Sequence, residues 1–356
     1  MNDHLPMLKQ YLQELSDRLS LDWRFNYQDL KVKDDGVVHV EVSSRELFDL
    51  MASSPPGELR MISRSGDLIV LAGGETPVVN VRLLHPDNRY VLLAVLSVAD
   101  LRRRPEHASE LLSQGIMGEW FYLLKEKGDW SLCRMEDGYL GWVRSWYVRK
   151  VGRNEIQNYR DRCNAMVVGN VTYVYSEPSN ESIPISDLVA GTKLVVESGE
   201  EKYLPAELPS GRRGYIRSID IEFLGTQSGN IRDRIVSRAK RFVGIPYVWG
   251  GTSSKGFDCS GLVKRVFDME GIVMPRDSDL QAGVGKLIPP DKLCEAKKGD
   301  LLFFGEGGKV SHVAIYLGEF EFIHAYGEVK INSLSADSAI YDEKLAGTLL
   351  FARRIL

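Results

Sequence analysis

The chain has 356 residues, 44% of them hydrophobic and 26% charged, with a formal net charge of −4. That length allows two or three domains, and the slight acidity excludes nucleic acid as a general partner, because phosphate binding needs a basic surface. Cys133, Cys163, Cys259 and Cys294 are far apart and form no Cys-x-x-Cys pair, so reduced thiols in the cytoplasm are expected rather than a disulfide framework or structural zinc.

Met1 to Leu15 mixes Asp3, Lys9 and Glu14 with its apolar residues and so lacks the apolar core of a signal peptide. No stretch approaches the ~20 apolar residues of a membrane span, so no membrane partner is expected. Residues 1–90 read as an α+β region. Leu5 to Leu19 has helical spacing, Val37 to Val42 alternates as a strand, and Ser43 to Ala52 reads as a Ser-capped helix. Ser65-Gly66-Asp67 then has hairpin chemistry.

Residues 91–150 carry short strands at close spacing, around Gly118–Leu124, Trp130–Arg134 and Tyr139–Val143. Residues 160–225 echo them, with Arg213-Gly214-Tyr215-Ile216 parallel to Leu140-Gly141-Trp142-Val143. Two small β-barrels of about 60 residues each are expected. Gly152 to Arg162 and Gly225 to Asn230 read as linkers, and residues 230–356 as an α+β domain with helices first and strands after.

That last domain carries the chemistry. Leu262, Val263, Val266 and Phe267 predict a helix over Ser260 to Gly271, which puts Cys259 at its first turn. Unpaired N–H groups and the positive end of the macrodipole favour a thiolate there. A free thiol near pKa 8.5 is only ~3% ionised at pH 7, so full ionisation gains at most ~30-fold. Positioning, general acid catalysis and an oxyanion hole must supply the rest, with the Cys259 N–H as the natural oxyanion donor. His312 lies on a strand-like segment and His324 on the next, after a turn near Gly318. A turn centred at residue 318 sets the two histidines directly opposite each other, Cβ atoms ~5 Å apart, so that one imidazole can orient the other. The same residues are compatible with a buried structural cysteine or a Cys-His-His zinc set. A phosphate-binding loop is excluded at Gly251 to Gly256, because Phe257 stands where the lysine is required.

Tyr247-Val248-Trp249-Gly250-Gly251, Asp258-Cys259-Ser260-Gly261-Leu262, Gly299-Asp300-Leu301, Ser311-His312-Val313-Ala314-Ile315-Tyr316 and Phe322-Ile323-His324-Ala325 together resemble an NlpC-type cell-wall cysteine peptidase domain. The resemblance implies a papain-like α+β fold in which Cys259 is the nucleophile, His312 the base and acid, and His324 the orienting residue. Residues 91–150 and 160–225 resemble the bacterial SH3-like domains found upstream of such peptidases. In recycling-type members the first of these reads a free N-terminal L-alanine. Glu119 and Tyr139 match that task, with Leu140 standing where the motif has proline. Tyr247, Asp258, Ser260 and Ser278 match substrate contacts in the peptidase domain. Glu119 and Asp258 are two carboxylates that an ammonium would neutralise, and a charge left buried and unpaired costs ~2–5 kcal/mol.

The resemblance implies a γ-D-glutamyl-L-diamino acid endopeptidase, with no cofactor or metal, that trims murein peptides such as L-Ala-γ-D-Glu-diamino acid in cytoplasmic recycling. Its rivals are an exported murein hydrolase whose SH3-like domains bind the wall, and a murein-peptide binding protein without activity. No oligomeric state and no role for residues 1–90 follow from the sequence.

Overall fold

The computed structural model describes residues 4–33, 37–74, 76–86 and 89–356. The first three residues of the stretch read for a signal peptide lie outside them. The chain forms four units joined by short connections.

The N-terminal unit begins with the helix His4–Arg18, whose Leu8, Leu12 and Leu15 are buried on one face. That face covers a five-stranded sheet ordered Gln28–Val32, Val38–Val42, Thr76–Leu83, Leu68–Gly73, Arg60–Ser65. Val38–Val42 runs parallel to Thr76–Leu83 and antiparallel to Gln28–Val32. The helix Arg45–Ser53 is capped by Ser44, whose side chain accepts from the Leu47 N–H, and it buries Leu47, Phe48 and Met51. The hairpin Arg60–Ser65/Leu68–Gly73 turns at Gly66 with φ +55°, a left-handed conformation suited to glycine.

Two seven-stranded barrels follow, one over Tyr90–Gly152 and one over Ala165–Phe223. With the strands of each numbered one to seven along the chain, the order across both sheets is seven, one, four, five, six, two, three. The internal echo is thus a repeated topology. The two matching tetrapeptides occupy the sixth strand of each barrel, Leu140–Arg144 and Arg213–Arg217.

Gly152 to Arg162 departs from expectation: it is not a linker but the helix Arg153–Arg162. Only Ile156 and Tyr159 are buried on it, a stripe too thin to register as amphipathic in sequence. Docking stabilises it, since short helices owe most of their stability to packing. It lies against Val148–Gly152 of the first barrel and Lys193–Val196 of the second, and the Tyr159 hydroxyl donates to the Glu207 carbonyl at 2.9 Å.

The C-terminal unit is a six-stranded antiparallel sheet ordered Lys286–Ile288, Leu349–Arg354, Leu301–Glu306, Lys309–Gly318, Glu321–Tyr326, Glu328–Ser333. The helices Ile231–Arg241 and Cys259–Asp268 share one core with it. Leu262, Val263, Val266 and Phe267 join Val313, Ile315 and Ile323 in that core.

The register of the histidine hairpin also departs from expectation. Ile315 pairs with Ile323 and Tyr316 with Phe322, two residues on from the register expected of a turn centred at 318. Glu319 and Phe320, rather than Gly318, form the tip, both with positive φ, and a bulge separates Tyr316 from Gly318. A two-residue slip preserves the face, because side chains alternate with period two. His312 and His324 are therefore diagonal rather than direct neighbours.

The first barrel docks on the C-terminal unit by polar contacts. Gln114 accepts from the Thr252 N–H through Oε1 at 3.1 Å and from Thr252 Oγ1 through its carbonyl at 2.8 Å. Trp249 Nε1 donates to Glu110 at 3.1 Å, and Lys264 pairs with Asp137 at 2.9 Å. Among the described residues, no helix is long and apolar enough to cross a membrane.

Candidate active site

Cys259 is the first residue of the helix Cys259–Asp268, so its N–H has no acceptor within the helix. Asp258 is the N-cap, its side chain accepting from the Gly261 N–H at 2.7 Å. The strand Lys309–Gly318 packs against this helix. Cys259 and His312 line one cleft of about 680 Å³, together with Tyr247, Tyr326, Asp342 and Lys344. Across the hairpin, His312 Nε2 lies 2.8 Å from His324 Nδ1. His324 is fully buried, with its Nε2 3.0 Å from Asn332 Oδ1.

Burial outweighs the helix terminus at the thiol. Cys259 is 9% exposed, and desolvation, with the neighbouring Asp258 carboxylate, pushes its pKa up to about 11. The backbone N–H groups of Val313 and Ser260 and the Arg276 guanidinium pull in the opposite direction but do not win. The expected standing thiolate is thereby corrected to a neutral thiol. Burial, and then His324, lower the His312 pKa to about 3, so the imidazole is neutral as well. Burial thus works against both charged forms, the thiolate at Cys259 and the imidazolium at His312.

The zinc alternative does not fit this geometry. Two nitrogens on a tetrahedral zinc ion with ~2.0–2.1 Å bonds stand ~3.3 Å apart. The histidine nitrogens are closer than that, at direct hydrogen-bond distance. Among the described residues, no group of three His, Cys, Asp or Glu side chains is placed to hold a metal ion.

The residues matched to substrate contacts divide. Tyr247 lines the cleft beside Cys259, and its hydroxyl pKa is raised to about 12 by burial and by the nearby Cys259 and Asp258. Tyr139 is almost fully buried, and its hydroxyl donates to Asp277 Oδ2 at 3.1 Å. Ser278 opens the short helix Ser278–Gln281 next to Asp277.

Glu119 is a correction. Its Oε1 pairs with Arg265 Nη1 at 3.0 Å and its Oε2 accepts from the Ile116 N–H at 3.1 Å. It braces the barrel against the later part of the Cys259 helix rather than lining the cleft. Asp258 is a second correction. Oδ1 accepts from Gly261, Ser260 and Arg276, and Oδ2 from the Gly250 N–H and Arg276, leaving no oxygen free for an ammonium. Ser260 belongs to the same buried network, its Oγ accepting from Arg276 Nη1 at 3.0 Å. These two residues hold the helix start in place.

The NlpC/P60 family profile matches residues 244–349, and the bacterial dipeptidyl-peptidase SH3 domain profile matches residues 101–145. A γ-D-glutamyl-L-lysine dipeptidyl-peptidase of Bacillus cereus is 31% identical over 270 residues, covering 70% of this chain and 77% of that protein. The chain belongs to the NlpC/P60 family. Its Bacillus subtilis relative of the same name is 29% identical over 73% of this chain and 90% of its own. The crystal structure of an NlpC/P60 family protein from Bacillus cereus matches the fold with a TM-score of 0.64, at 24% identity over 75% of this chain and 99% of its own. Membership makes the C-terminal unit a cysteine peptidase domain.

Within this NlpC/P60 peptidase, the N-terminal unit reaches the seam between barrel and peptidase domain. Arg24 Nη1 donates to Asp277 Oδ2 at 2.9 Å and to Asp279 Oδ1 at 2.8 Å, while its Nε and Nη2 engage Asp22. Phe25 meets Tyr139 edge-on, ring centroids 6.0 Å apart, and the Leu140 N–H donates to the Arg24 carbonyl at 2.8 Å. Sequence reasoning missed Arg24, Arg276, Asp277 and Asn332. The first is 253 residues from Asp277, and no local pattern marks such a partner. Asp277 was within sight, since it immediately precedes Ser278.

Proposed function

We propose that the protein hydrolyses the bond between the γ-carboxyl of D-glutamate and an L-diamino acid in murein peptides with a free N-terminal L-alanine. The observation that carries this reading is the placement of Cys259 and His312 in one cleft, with His324 hydrogen-bonded behind His312 at 2.8 Å. His312 takes the thiol proton as sulfur bonds to the γ-carbonyl carbon, and the Cys259 N–H receives the oxyanion. The same proton passes to the departing amine as the C–N bond breaks, leaving a thioester. Water, deprotonated by His312, then attacks the thioester and releases a dipeptide with a free γ-carboxylate.

The relatives' name supports the γ-D-glutamyl bond as substrate class. Charge supports an amine-reading subsite near Tyr139. Among the described residues, Asp22, Asp258, Asp277 and Asp279 pair with two guanidinium groups, Arg24 and Arg276, so the cluster is acidic. We assign the ammonium contact to Asp277 on position, because it accepts from the Tyr139 hydroxyl at 3.1 Å; like Glu119 it is partly exposed and already bonded to an arginine, which the incoming ammonium would share. Such free-amine peptides arise after the glycan has been removed, which supports a role in cytoplasmic murein recycling.

The test compares hydrolysis of L-Ala-γ-D-Glu-meso-diaminopimelate with the same peptide acylated at alanine, using wild type and Cys259→Ala. Cleavage of the free peptide alone, abolished by Cys259→Ala, is expected. Equal rates on both peptides would overturn the free-amine requirement, and cleavage by Cys259→Ala would overturn the nucleophile.

A further inference from the structure

We propose that Asn332 is a positioning residue that sets the proton arrangement of the histidine pair, so that the bare nitrogen of His312 is the one left for the thiol. The proposal rests on the catalytic reading above and adds to it a residue on a different strand, Glu328–Ser333.

The argument is one of donors and acceptors. Asn332 Nδ2 donates to the Ile340 carbonyl at 3.2 Å, and Asn332 Oδ1 lies 3.0 Å from His324 Nε2. A carbonyl only accepts, so the amide nitrogen must face Ile340 and the amide oxygen must face the ring. His324 Nε2 then carries a proton. Burial keeps His324 below its ordinary pKa, with the Asn332 hydrogen bond, Lys330 and Asp342 acting on it less strongly. A neutral ring protonated at Nε2 has a bare Nδ1, which can only accept, so the proton on the His312 side sits on His312 Nε2. Neutral His312 therefore has a bare Nδ1. The opposite tautomers would set a lone pair of His324 against Asn332 Oδ1. Flipping the amide would move that conflict to the Ile340 carbonyl.

When the thiol gives up its proton to Nδ1, the imidazolium keeps its Nε2–H on His324, and nothing in the relay has to turn over. Ile340 belongs to the segment that leads into Asp342 and Lys344 on the cleft wall, so the last link of the relay is a backbone carbonyl beside the substrate site.

Nitrogen-15 NMR of histidine-labelled protein at neutral pH tests this without relying on turnover. Wild type should show both rings protonated at Nε2 and bare at Nδ1. Asn332→Ala should mix the two His324 tautomers and lower kcat about tenfold with KM unchanged, the scale seen when partners behind a histidine ligand are removed. Asn332→Asp keeps the acceptor for His324 but loses the donor to the Ile340 carbonyl, so it should restore the tautomer in part, while its carboxylate stabilises the imidazolium and moves the acid limb of the kcat/KM profile to higher pH. A His312 ring protonated at Nδ1 in wild type would overturn the proposal, as would Asn332→Ala with wild-type tautomers and rate. A hydrolysis assay of Cys259→Ala beside these spectra separates the two readings. Hydrolysis surviving in that variant would sink the catalytic assignment, whereas the tautomers judge Asn332 alone.

Discussion

Replacing Arg24 with alanine removes a guanidinium that joins the N-terminal unit to the peptidase domain, and its consequence for substrate binding can be worked from the contacts. The side chain reaches Asp22, Asp277 and Asp279, whose side chains are 31%, 27% and 51% exposed. Asp279 is half in water, where a charge pair is worth ~0–1 kcal/mol, and Asp22 is a neighbour on the same loop. What crosses the seam and matters for Tyr139 is the bond to Asp277, a hydrogen bond between charged groups. Discounted from ~1.5–3 kcal/mol for partial exposure, it contributes ~1–2 kcal/mol. Without it, Asp277 is free to leave Tyr139, and the three carboxylates repel one another. At ~1.4 kcal/mol per tenfold, KM for L-Ala-γ-D-Glu-meso-diaminopimelate should rise about 5- to 30-fold with kcat little changed. Steady-state hydrolysis by the full-length variant measures this. Arg24→Lys, which keeps the charge but not the planar fork, should recover only part of the loss. A KM that stays constant or falls on Arg24→Ala would refute the reasoning, because Arg24 would then be idle or competing with the substrate.

Other expected outcomes follow from the corrected assignments. Glu119→Gln should weaken docking of the first barrel, lowering the unfolding temperature, yet leave the ratio of rates on free and acylated peptide unchanged. A changed ratio would restore Glu119 to the substrate site. Asp258→Ala strips the cap from the nucleophile helix and leaves Arg276, 2% exposed at its side chain, without its partner. Denaturant unfolding should register a loss of ~3–5 kcal/mol, the cost of orphaning one member of a buried pair. The folded-state pKa of His312 is depressed from 6.5 to about 3, so its contribution to stability is present above pH 6.5 and is lost as pH falls toward 3. His312→Asn should therefore flatten the decline in unfolding free energy over that window, and an unchanged slope would show that His312 is not buried as a neutral base.

Legibility followed sequence distance. The helix start at Cys259 is announced by Leu262, Val263, Val266 and Phe267 within two turns, and the histidine strands alternate visibly. Their pairing was less legible, because the hairpin tip falls on Glu319 and Phe320, residue types that rarely take positive φ, beside a Gly318 that invites the turn onto itself. The helix Arg153–Arg162 was hidden because two buried side chains carry it and the partners that bury them lie on separate barrels. In sequence, Asp258 matches a substrate contact by its place in the family motif and by its charge. Its real partner, Arg276, comes 18 residues later in a loop without periodicity. Arg24 meets Asp22 locally but reaches Asp277 only through the fold, and Asn332 meets His324 across a strand pair, so no local pattern marks either partner.

The shared strand order of the two barrels has a consequence for how this enzyme could diverge. Two copies of one scaffold within a chain need not keep the same work. Aligned on their sixth strands, Tyr139 of the first copy corresponds to Arg212 of the second, whose guanidinium merely ties off the Ile185 carbonyl at 2.8 Å. Both copies brace the peptidase domain, the first through Gln114 and Glu119 and the second through Asn170, which donates to the Arg241 carbonyl at 2.9 Å. The shared strand order therefore preserves the scaffold while position 139 and its counterpart at 212 hold different residues with different partners.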